Sequence, residues 1–407
     1  MKNIIKAISV LASLALLTGC GALNNSEQAA DYNAPNTNAA DTLKESSEVP
    51  DCCAGGESDC CKEDSKKDCC KEQDKAGSDA AKTAAPEKAD LNLGYLNSTA
   101  HLLAFVAAEE GYFAEEGLNV TLTQFSSAGE LVNGLESGKL DVAFIGSVPT
   151  LTFQSQGHDV TIIGGAMTNG HGYVIKSEFA EKDEQGVEIL KGRNVASVKN
   201  SVQDAELQIL LKNAGIEIGE GADKVNIVYF DSQKDAYAAL SNATIDAASV
   251  YSPYASLAKS QGYKVVYYCA HEKALENQPC CRQVASTAAV KANPNTFTAL
   301  ERAFIKAYHL TQENHEKTIA DVKKYIDIDE EFIETEVYGG YSVSSPDPDK
   351  KGTLTLKDTI VELGYTEDYD IEPLYNTDIY KAALDSILAE GSDDIYKSLQ
   401  DHFSAYE

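Results

Sequence analysis

The stretch SGKLDVAFIGSVP, residues 137–149, says most about the architecture of this chain. Residues 141–146 are a short apolar run that predicts a fully buried strand. Ser147 follows as a candidate helix cap, and Pro149 stands in the first turn of the helix, where its missing N–H is not needed. A buried strand that passes directly into a capped helix is the repeating unit of an α/β sheet with crossover helices.

Similar units lie on both sides of this stretch. Residues 246–251, followed by Ser252 and Pro253, mirror it later in the chain. Further strands, with helices between them, are predicted at residues 91–96, 120–125, 195–198, 225–230 and 264–269. Two similar halves in series predict an α/β protein with two similarly built lobes and mainly parallel sheets flanked by helices, rather than one large sheet.

Candidate helix caps stand at five strand-to-helix junctions of this pattern. In open α/β sheets, ligands bind beyond the carboxyl ends of the strands, where free N–H groups and helix dipoles favour an anion. Helix stability alone explains any one of these caps, whereas five at equivalent junctions favour a ligand site. The caps lie at residues 97–99, 126–127, 147, 201 and 232.

Composition narrows the classes of function. The chain has 407 residues, with 64 acidic against 34 basic residues and a formal net charge of −30. A protein this acidic is repelled by phosphate backbones, so nucleic-acid binding is excluded as its main activity. The length is sufficient for about two domains plus appendages.

The N-terminus has the features of a secretion signal. Lys2 and Lys6 precede an apolar run at residues 7–17, and the sequence LTGC at residues 17–20 resembles the lipobox of bacterial lipoproteins. That resemblance implies removal of residues 1–19 and a lipid on Cys20, which would anchor the chain to the extracytoplasmic face of a membrane. The alternative is an ordinary cleaved signal that contains a cysteine.

Residues 20–89 are predicted to be a disordered acidic tether, because they contain too little apolar surface to offset their chain entropy. Three vicinal cysteine pairs lie in this tether, each preceded by aspartate. Adjacent thiolates suit a soft cation such as Cu(I) or Zn(II), or a thiophilic metalloid. Disulfides between neighbouring pairs, or idle reduced thiols, are the alternatives. The pairs are Cys52-Cys53, Cys60-Cys61 and Cys69-Cys70.

Several motifs of the remaining chain resemble those of a known family. Residues 110–120, EGYFAEEGLNV, look like a signature of the solute-binding proteins that serve nitrate, sulfonate and taurine ABC importers. Residues 137–144, followed by Gly146 and Pro149, resemble the second signature of that family. Each motif is weak alone, but their order is specific, and the resemblance covers about residues 91–403. Further matches lie at residues 192–196, 210–216 and 246–254.

This resemblance implies a two-lobed type II periplasmic-binding-protein fold with two crossing hinge segments and a ligand held between the lobes. The first lobe is expected at residues 90–175 and the second at 176–282, with a return to the first lobe at 283–407. The crossings are expected near residues 172–177 and 282–290. The implied function is non-enzymatic capture of a small polar or anionic solute and its delivery to an ABC permease and its ATPase.

The resemblance also implies where the solute is held. Tyr251 stands where many relatives carry Trp, and it is expected, with Tyr254, to pack on the solute. Arg282, one of three arginines, is expected at the cleft edge as a bidentate fork for an anionic head group. The other implied ligand-binding residues are Asn97, Ser98, Thr99, Ser126, Ser127, Gly146, Ser147, Ser201 and Gln203.

Cys280 and Cys281 repeat the vicinal pattern of the tether inside the folded body. Cys269 and His271 are candidates to join them at a soft-metal site, and body and tether pairs are hypothesised to handle one thiophilic species. Simple burial in the core is the alternative reading of these cysteines.

Two further histidines, His101 and His171, flank the predicted cleft loops and are expected to be satisfied polar residues.

Two alternative functions remain open. One is a surface metal buffer that acts through its cysteine pairs. The other is an enzyme similar to the thiamine pyrimidine synthases, which share the implied fold and a cysteine-rich segment but are intracellular. Apart from a soft metal or metalloid on the cysteine pairs, no cofactor is expected.

Overall fold

The computed structural model describes residues 84–407. The predicted signal peptide, Cys20 and the three cysteine pairs of the tether lie outside the described residues. Eleven strands in this range form two sheets. In chain order the strands are β1 (Asp90–Tyr95), β2 (Asn119–Gln124), β3 (Val142–Gly146), β4 (Val160–Asn169), β5 (His171–Ile175), β6 (Asn194–Val198), β7 (Asn226–Phe230), β8 (Ala247–Tyr251), β9 (Lys264–Tyr268), β10 (Pro279–Ser286) and β11 (Ser342–Ser344).

Helices cover both sheets. None of the helices between residues 84 and 407 has the length and apolar character that a bilayer crossing needs. In chain order the helices are α1 (Leu102–Glu109), α2 (Tyr112–Glu115), α3 (Ala128–Glu136), α4 (Ser147–Ser155), α5 (Val202–Asn213), α6 (Gln233–Ser241), α7 (Tyr254–Ser260), α8 (Thr287–Ala292), α9 (Pro294–Glu313), α10 (His315–Lys323), α11 (Glu330–Tyr338), α12 (Lys350–Glu362), α13 (Asp378–Glu390) and α14 (Asp394–Tyr406).

Each sheet is the centre of one lobe, as the sequence predicts. The first lobe has the strand order β11-β4-β10-β3-β1-β2, and the second has β7-β6-β8-β5-β9. The expectation of mainly parallel sheets is wrong, because both sheets are mixed. Four strand pairings are parallel and five are antiparallel. The first strand after each crossing is antiparallel to both of its neighbours in the sheet. These strands are β5, between β8 and β9, and β10, between β3 and β4.

The two lobes repeat one arrangement in detail. In the first lobe the Asp141 carboxylate accepts a hydrogen bond from the backbone N–H of Asn92 at 2.9 Å. In the second lobe Asp246 accepts from Asn194 in the same way, also at 2.9 Å. In both cases the aspartate precedes the central buried strand and ties it to its parallel neighbour. The similarity of the two halves in sequence therefore reflects a repeated strand-helix unit.

The chain crosses from the first lobe to the second at Gly170, between β4 and β5. Gly170 has φ +88°, and a Cβ there would lie 2.2 Å from Met167 Cε, so the turn requires glycine. The crossing thus precedes the expected segment at 172–177, because residues 171–175 already pair with β8 and β9.

The return crossing lies between β9 and β10, at residues 269–278. It also precedes its expected position at 282–290. Residues 281–285 are already in the first sheet, where β10 pairs with both β3 and β4. The second lobe therefore spans about residues 171–268, rather than 176–282.

After β10 the chain stays with the first lobe. Helix α9 has the predicted apolar stripe, with Leu300 and Phe304 fully buried. The Phe304 ring meets Phe144 of β3 edge-on, with ring centroids 5.4 Å apart. Burial of two aromatic side chains between this helix and the sheet fixes β3, and with it the strand end from which α4 begins.

Candidate functional site

A cavity of about 340 Å³ lies between the lobes, at the ends of the strands. Four helices begin at its wall, two from each lobe. This volume is within the range of small-molecule sites. The residues at these helix starts that line the cavity are Ser126, Ser127, Ala128, Gly129, Gly146, Pro149, Ser201, Val202, Gln203, Asp231, Ser232 and Gln233.

Serine side chains cap three of these four helices. Ser127 Oγ accepts the N–H of Glu130 at 3.3 Å, and Ser201 and Ser232 cap α5 and α6 in the same way, each at 3.2 Å. Capping satisfies one N–H of each first turn and leaves others without an intrahelical partner. Because helix starts carry partial positive charge, four of them around one cavity favour an anion.

The structure brings most of the predicted site residues together. Seven of the eleven line the cavity, and they come from both lobes. Tyr251 is among them, and its ring meets Tyr254 edge-on at a centroid distance of 5.5 Å, so Tyr254 stands behind the aromatic wall rather than in it. The seven are Ser98, Ser126, Ser127, Gly146, Ser201, Gln203 and Tyr251.

Four predicted residues, Asn97, Thr99, Ser147 and Arg282, are not among the lining residues. Thr99 is buried and its hydroxyl hydrogen-bonds the Ser252 hydroxyl of the other lobe. The Ser98 hydroxyl donates to the Ser252 carbonyl at 3.0 Å. This loop was expected to contact the solute. Both hydroxyls join the two lobes, and of the two residues only Ser98 also lines the cavity.

Ser147 is the first residue of α4 rather than its cap, and Gly146 precedes the helix without a side-chain cap. Within the described part of the chain, the buried Ser147 Oγ has no hydrogen-bond partner. A buried hydroxyl without a partner is uncommon. It lies next to Gly146, which lines the cavity.

The expected position of Arg282 at the cleft edge is wrong. Its side chain is 1% exposed and lies inside the first lobe. Its Nη2 faces Asp349 Oδ2 at 3.4 Å, its Nη1 donates to the Cys281 carbonyl at 2.9 Å, and its Nε donates to Thr353 Oγ1 at 3.3 Å. With its donors directed to the protein interior, Arg282 is a structural residue.

Several lining residues were missed from the sequence. Leu96 and Phe153 make part of the wall apolar, and Lys199 adds a cation. Asp231 and Gln233 flank Ser232, one of the five predicted caps, which was not among the site residues that the family resemblance implies. Because the five caps at strand ends favoured a ligand site, this signal was available in the sequence.

Two histidines and two cysteines line the floor of the cavity: His101, His171, Cys280 and Cys281. Cys280 Sγ lies 3.3 Å from Cys281 Sγ and 3.3 Å from His171 Nε2. His171 Nδ1 faces the Glu206 carboxylate at 3.0 Å. Both histidines were expected to be satisfied polar residues, and both have a partner: Glu206 for His171, and the backbone N–H of Leu96 at 3.0 Å for His101. Both also line the cavity. We call these four residues, with Glu206, the floor cluster.

The other two residues proposed for this soft-metal site, Cys269 and His271, lie in different environments. Cys269 is buried next to the floor cluster, where its sulfur accepts the backbone N–H of His171 at 3.2 Å. His271 is not in the cluster, because it is exposed and pairs with Glu184 at 3.0 Å. Cys269 and His271 are only two residues apart along the chain. The cysteine is buried and the histidine is exposed because the chain leaves the second lobe at this point.

The two vicinal thiols have opposite pKa shifts. The hydrogen bond from Cys280 lowers the pKa of the Cys281 thiol well below its ordinary value, against the effect of burial, and His101 adds to the lowering. Burial and the neighbouring sulfur raise the pKa of Cys280. For His171, burial lowers the pKa, but the charge of Glu206 outweighs it and holds the pKa well above the ordinary value.

Comparison with known proteins places this geometry in a family. A family model described as the NMT1-like family matches residues 84–326, more than half of the chain. The chain belongs to this family. The fold is the two-lobed type II fold of periplasmic binding proteins, as a solved structure illustrates. The nitrate-binding protein NrtA from Synechocystis PCC 6803 superposes with a TM-score of 0.64 at 16% identity, over 80% of this chain and 100% of that one.

Two proteins that are similar to this chain in sequence are named as binding proteins. A protein of Bacillus subtilis (strain 168), named as the binding protein YtlA, is 25% identical over 252 residues, which are 60% of this chain and 73% of that protein. A second protein of the same strain, named as an aliphatic sulfonates-binding protein, is 26% identical over 187 residues. That match covers 44% of this chain and 53% of the relative.

Proposed function

We propose that this chain is the solute-binding lipoprotein of an ABC importer, which captures a small anionic solute outside the cytoplasm and delivers it to the permease. The observation that carries this proposal is the meeting of four helix starts, two from each lobe, at one cavity. An anion there is bound by N–H groups of both lobes at once. Only the closed arrangement of the lobes allows this, so the solute stabilises closure.

Contacts across the cleft support a closed arrangement. The Tyr365 hydroxyl, on the chain that follows α12 in the first lobe, donates to Asp204 Oδ2 of α5 at 2.6 Å. Gln208 of the same helix donates to the Tyr365 oxygen at 2.6 Å. These bonds span the two lobes, so they would break on opening and reform on closure.

The wall chemistry favours an alkanesulfonate over nitrate. Helix N–H groups and the hydroxyls of Ser127, Ser201 and Ser232 suit the oxygens of the head group. Leu96 and Phe153 give an apolar surface that nitrate would not use and that an alkyl chain would cover. The names of the relatives, for sulfonates and for nitrate, are consistent with an oxyanion.

Calorimetry of the purified chain with a set of anions tests this function. We expect methanesulfonate and longer alkanesulfonates to bind, with nitrate and taurine weaker, and the melting temperature to rise on binding. Glycerol and an alkylammonium of matched length are the controls without negative charge. Equal binding of the alkylammonium, or no binding of any oxyanion, would contradict an anion site.

The lipid anchor is tested separately. Cys20→Ser removes the predicted lipidation site, so metabolic labelling with a fatty acid should mark the wild-type chain and leave the variant without label. Because the lipobox also directs the predicted cleavage before residue 20, the variant is expected to keep residues 1–19 and to migrate as a longer chain. A wild-type chain without label, or a variant labelled to the same level, would reject the lipoprotein assignment.

A further inference from the structure

The floor cluster is a group of chemically active side chains that anion capture does not require. Cys280 and Cys281 belong to β10 of the first lobe, whereas His171 begins β5 of the second. All three line the cavity. The floor is therefore the place where thiols of one lobe meet an imidazole of the other, and it is open to a small solute.

The backbone is shaped so that both thiols reach the cavity. Neighbouring residues of a regular strand point to opposite faces. In β10 the pairing with β4 shifts register between Pro279 and Cys281 and again between Cys281 and Arg282. Bulges of this kind re-aim side chains. As a result, Cys280 and Cys281 both line the cavity, while Arg282 turns into the first lobe.

We propose that Cys280, Cys281 and His171 form a binding site for a thiophilic metal ion, Zn²⁺ or Cu⁺, on the floor of the cleft. Bond lengths of about 2.3 Å to sulfur and about 2.0 Å to nitrogen place tetrahedral ligand atoms about 3.5 Å apart for sulfur and nitrogen and about 3.8 Å apart for two sulfurs. Cys280 Sγ lies 3.3 Å from both Cys281 Sγ and His171 Nε2, so an ion requires these two contacts to open by about 0.5 Å and about 0.2 Å. The three ligand atoms do not all lie within 4.8 Å of one another, so binding also requires Cys281 Sγ and His171 Nε2 to approach by about 1 Å or more. Thiolate and imidazole together suit these two ions, whereas Mg²⁺ and Ca²⁺ prefer oxygen.

Glu206 completes the site from behind. Its carboxylate faces His171 Nδ1 at 3.0 Å, which fixes the ring so that Nε2 is directed to Cys280 Sγ. Histidines that bind metals usually have such a partner on the other ring nitrogen. With three protein ligands, a fourth position remains open to the cavity. Metal binding displaces the protons of the ligands, so the hydrogen bonds of the empty cluster give way to metal bonds.

A rival set of ligands shares His171. Ligand atoms of His171, Glu206 and Cys269 lie within 4.8 Å of one another. Both Glu206 and Cys269 are fully buried, and neither lines the cavity. The Glu206 carboxylate is already paired with the histidine ring, and the Cys269 sulfur already accepts the His171 N–H. The set that lines the cavity is accessible to an ion, so we assign the site to Cys280, Cys281 and His171.

The test uses the full chain with seven cysteines, Cys20 and the six of the tether, replaced by serine. This seven-serine chain retains Cys269, Cys280 and Cys281. Zn²⁺ or Cu⁺ is offered alone to the reduced protein, without solute, and bound metal is counted by mass spectrometry after gel filtration. We expect one ion per chain, and X-ray absorption of the loaded protein should show two sulfur ligands and at least one nitrogen ligand.

Variants of the seven-serine chain assign the ligands. Cys280→Ser with Cys281→Ser should lose the ion, and Glu206→Gln should weaken binding about 10- to 100-fold. Cys269→Ser is the matched control, a neighbouring buried cysteine, and should keep the ion. Thermal unfolding of each variant checks the fold, and the absorption spectrum of the loaded chain decides the ligands even if a variant does not fold.

Three results would overturn the site. They are a reduced seven-serine chain that binds no ion, an ion that survives loss of Cys280 and Cys281, and an ion that is lost only with Cys269→Ser. Because solute is absent, these outcomes are independent of the proposed anion capture. Sulfonate binding measured with a chelator present tests that function without the metal.

Discussion

The start of α4 in the first lobe and the start of α7 in the second follow equivalent strands, β3 and β8, but their surroundings are opposite. Gly146 and Pro149 at the start of α4 line the cavity. At α7, Glu336 from α11 accepts hydrogen bonds from Ser256 N at 2.8 Å and Ser256 Oγ at 2.6 Å. A carboxylate of the protein occupies at α7 the position that we propose for a solute at α4.

The start of α12 belongs with α7 in this comparison. Asp349 accepts the N–H of Gly352 at 2.9 Å, and Arg282 pairs with the same carboxylate. These two interior helix starts thus bind carboxylates of the chain, whereas at the cavity serine hydroxyls cap α3, α5 and α6 and no side chain caps α4. The same property of helix starts serves stability in one region and recognition in the other.

The largest effect is expected from removing Arg282, the cation that pairs with Asp349 at the start of α12. Arg282→Ala should lower the free energy of unfolding by about 3–5 kcal/mol, because it leaves the buried Asp349 carboxylate without its counter-charge. Urea unfolding measures this loss. The folded fraction should bind solute normally.

A double variant is the control for this prediction. Arg282→Met with Asp349→Asn removes both charges and should recover part of the lost stability. Asn also tolerates the positive φ of 47° at position 349. An Arg282→Ala variant of normal stability but weakened solute affinity would return Arg282 to the solute site and break the comparison.

Glu336→Ala is expected to cost about 1–3 kcal/mol, since the buried N–H and O–H of Ser256 lose their acceptor. Glu334→Ala, an exposed position on the same helix, should be neutral. Chemical unfolding of both variants checks the difference. Equal stabilities would mean that the start of α7 does not depend on its carboxylate.

Tyr365→Phe should weaken solute binding about 12- to 160-fold, because a hydrogen bond to a carboxylate, here that of Asp204, contributes about 1.5–3 kcal/mol to the closed arrangement. The unfolding free energy without solute should change less than the binding free energy if the bond forms only on closure. Calorimetry and urea unfolding separate the two. A loss of stability without a loss of affinity would show that Tyr365 acts within the fold alone.

The smallest effect is expected at the start of α4, which has no side-chain cap, in comparison with the start of α5, which Ser201 caps. Ser147→Ala should change the free energy of unfolding by no more than about 0.5 kcal/mol, because no hydrogen bond to the hydroxyl is lost. Ser201→Ala, which loses the cap of α5, should cost about 1 kcal/mol. If both cost the same, the Ser147 hydroxyl has a partner that stabilises α4.

Local patterns in the sequence were sufficient for the lobes and their helix starts. Buried runs such as residues 142–146 and caps such as Ser201 depend on neighbouring residues only, and the structure contains both. The first crossing was misplaced although Asn169-Gly170, a dipeptide typical of turns, stands where it occurs. This signal was present and was not used.

The errors at Arg282 and the floor cluster have a different cause. The partner of Arg282, Asp349, is 67 residues away along the chain. The contact between His171 and Cys280 joins residues separated by 109 positions. Such contacts depend on which strand pairs with which, and on bulges in the pairing, and neither is encoded in a local pattern.

A crystal structure of the full chain with the alkanesulfonate that raises its melting temperature most tests the central claim directly. We predict sulfonate oxygens within hydrogen-bonding distance of first-turn N–H groups from helices of both lobes, α3 or α4 on one side and α5 or α6 on the other. A sulfonate bound by one lobe alone, or by surface lysines outside the cavity, would contradict the account.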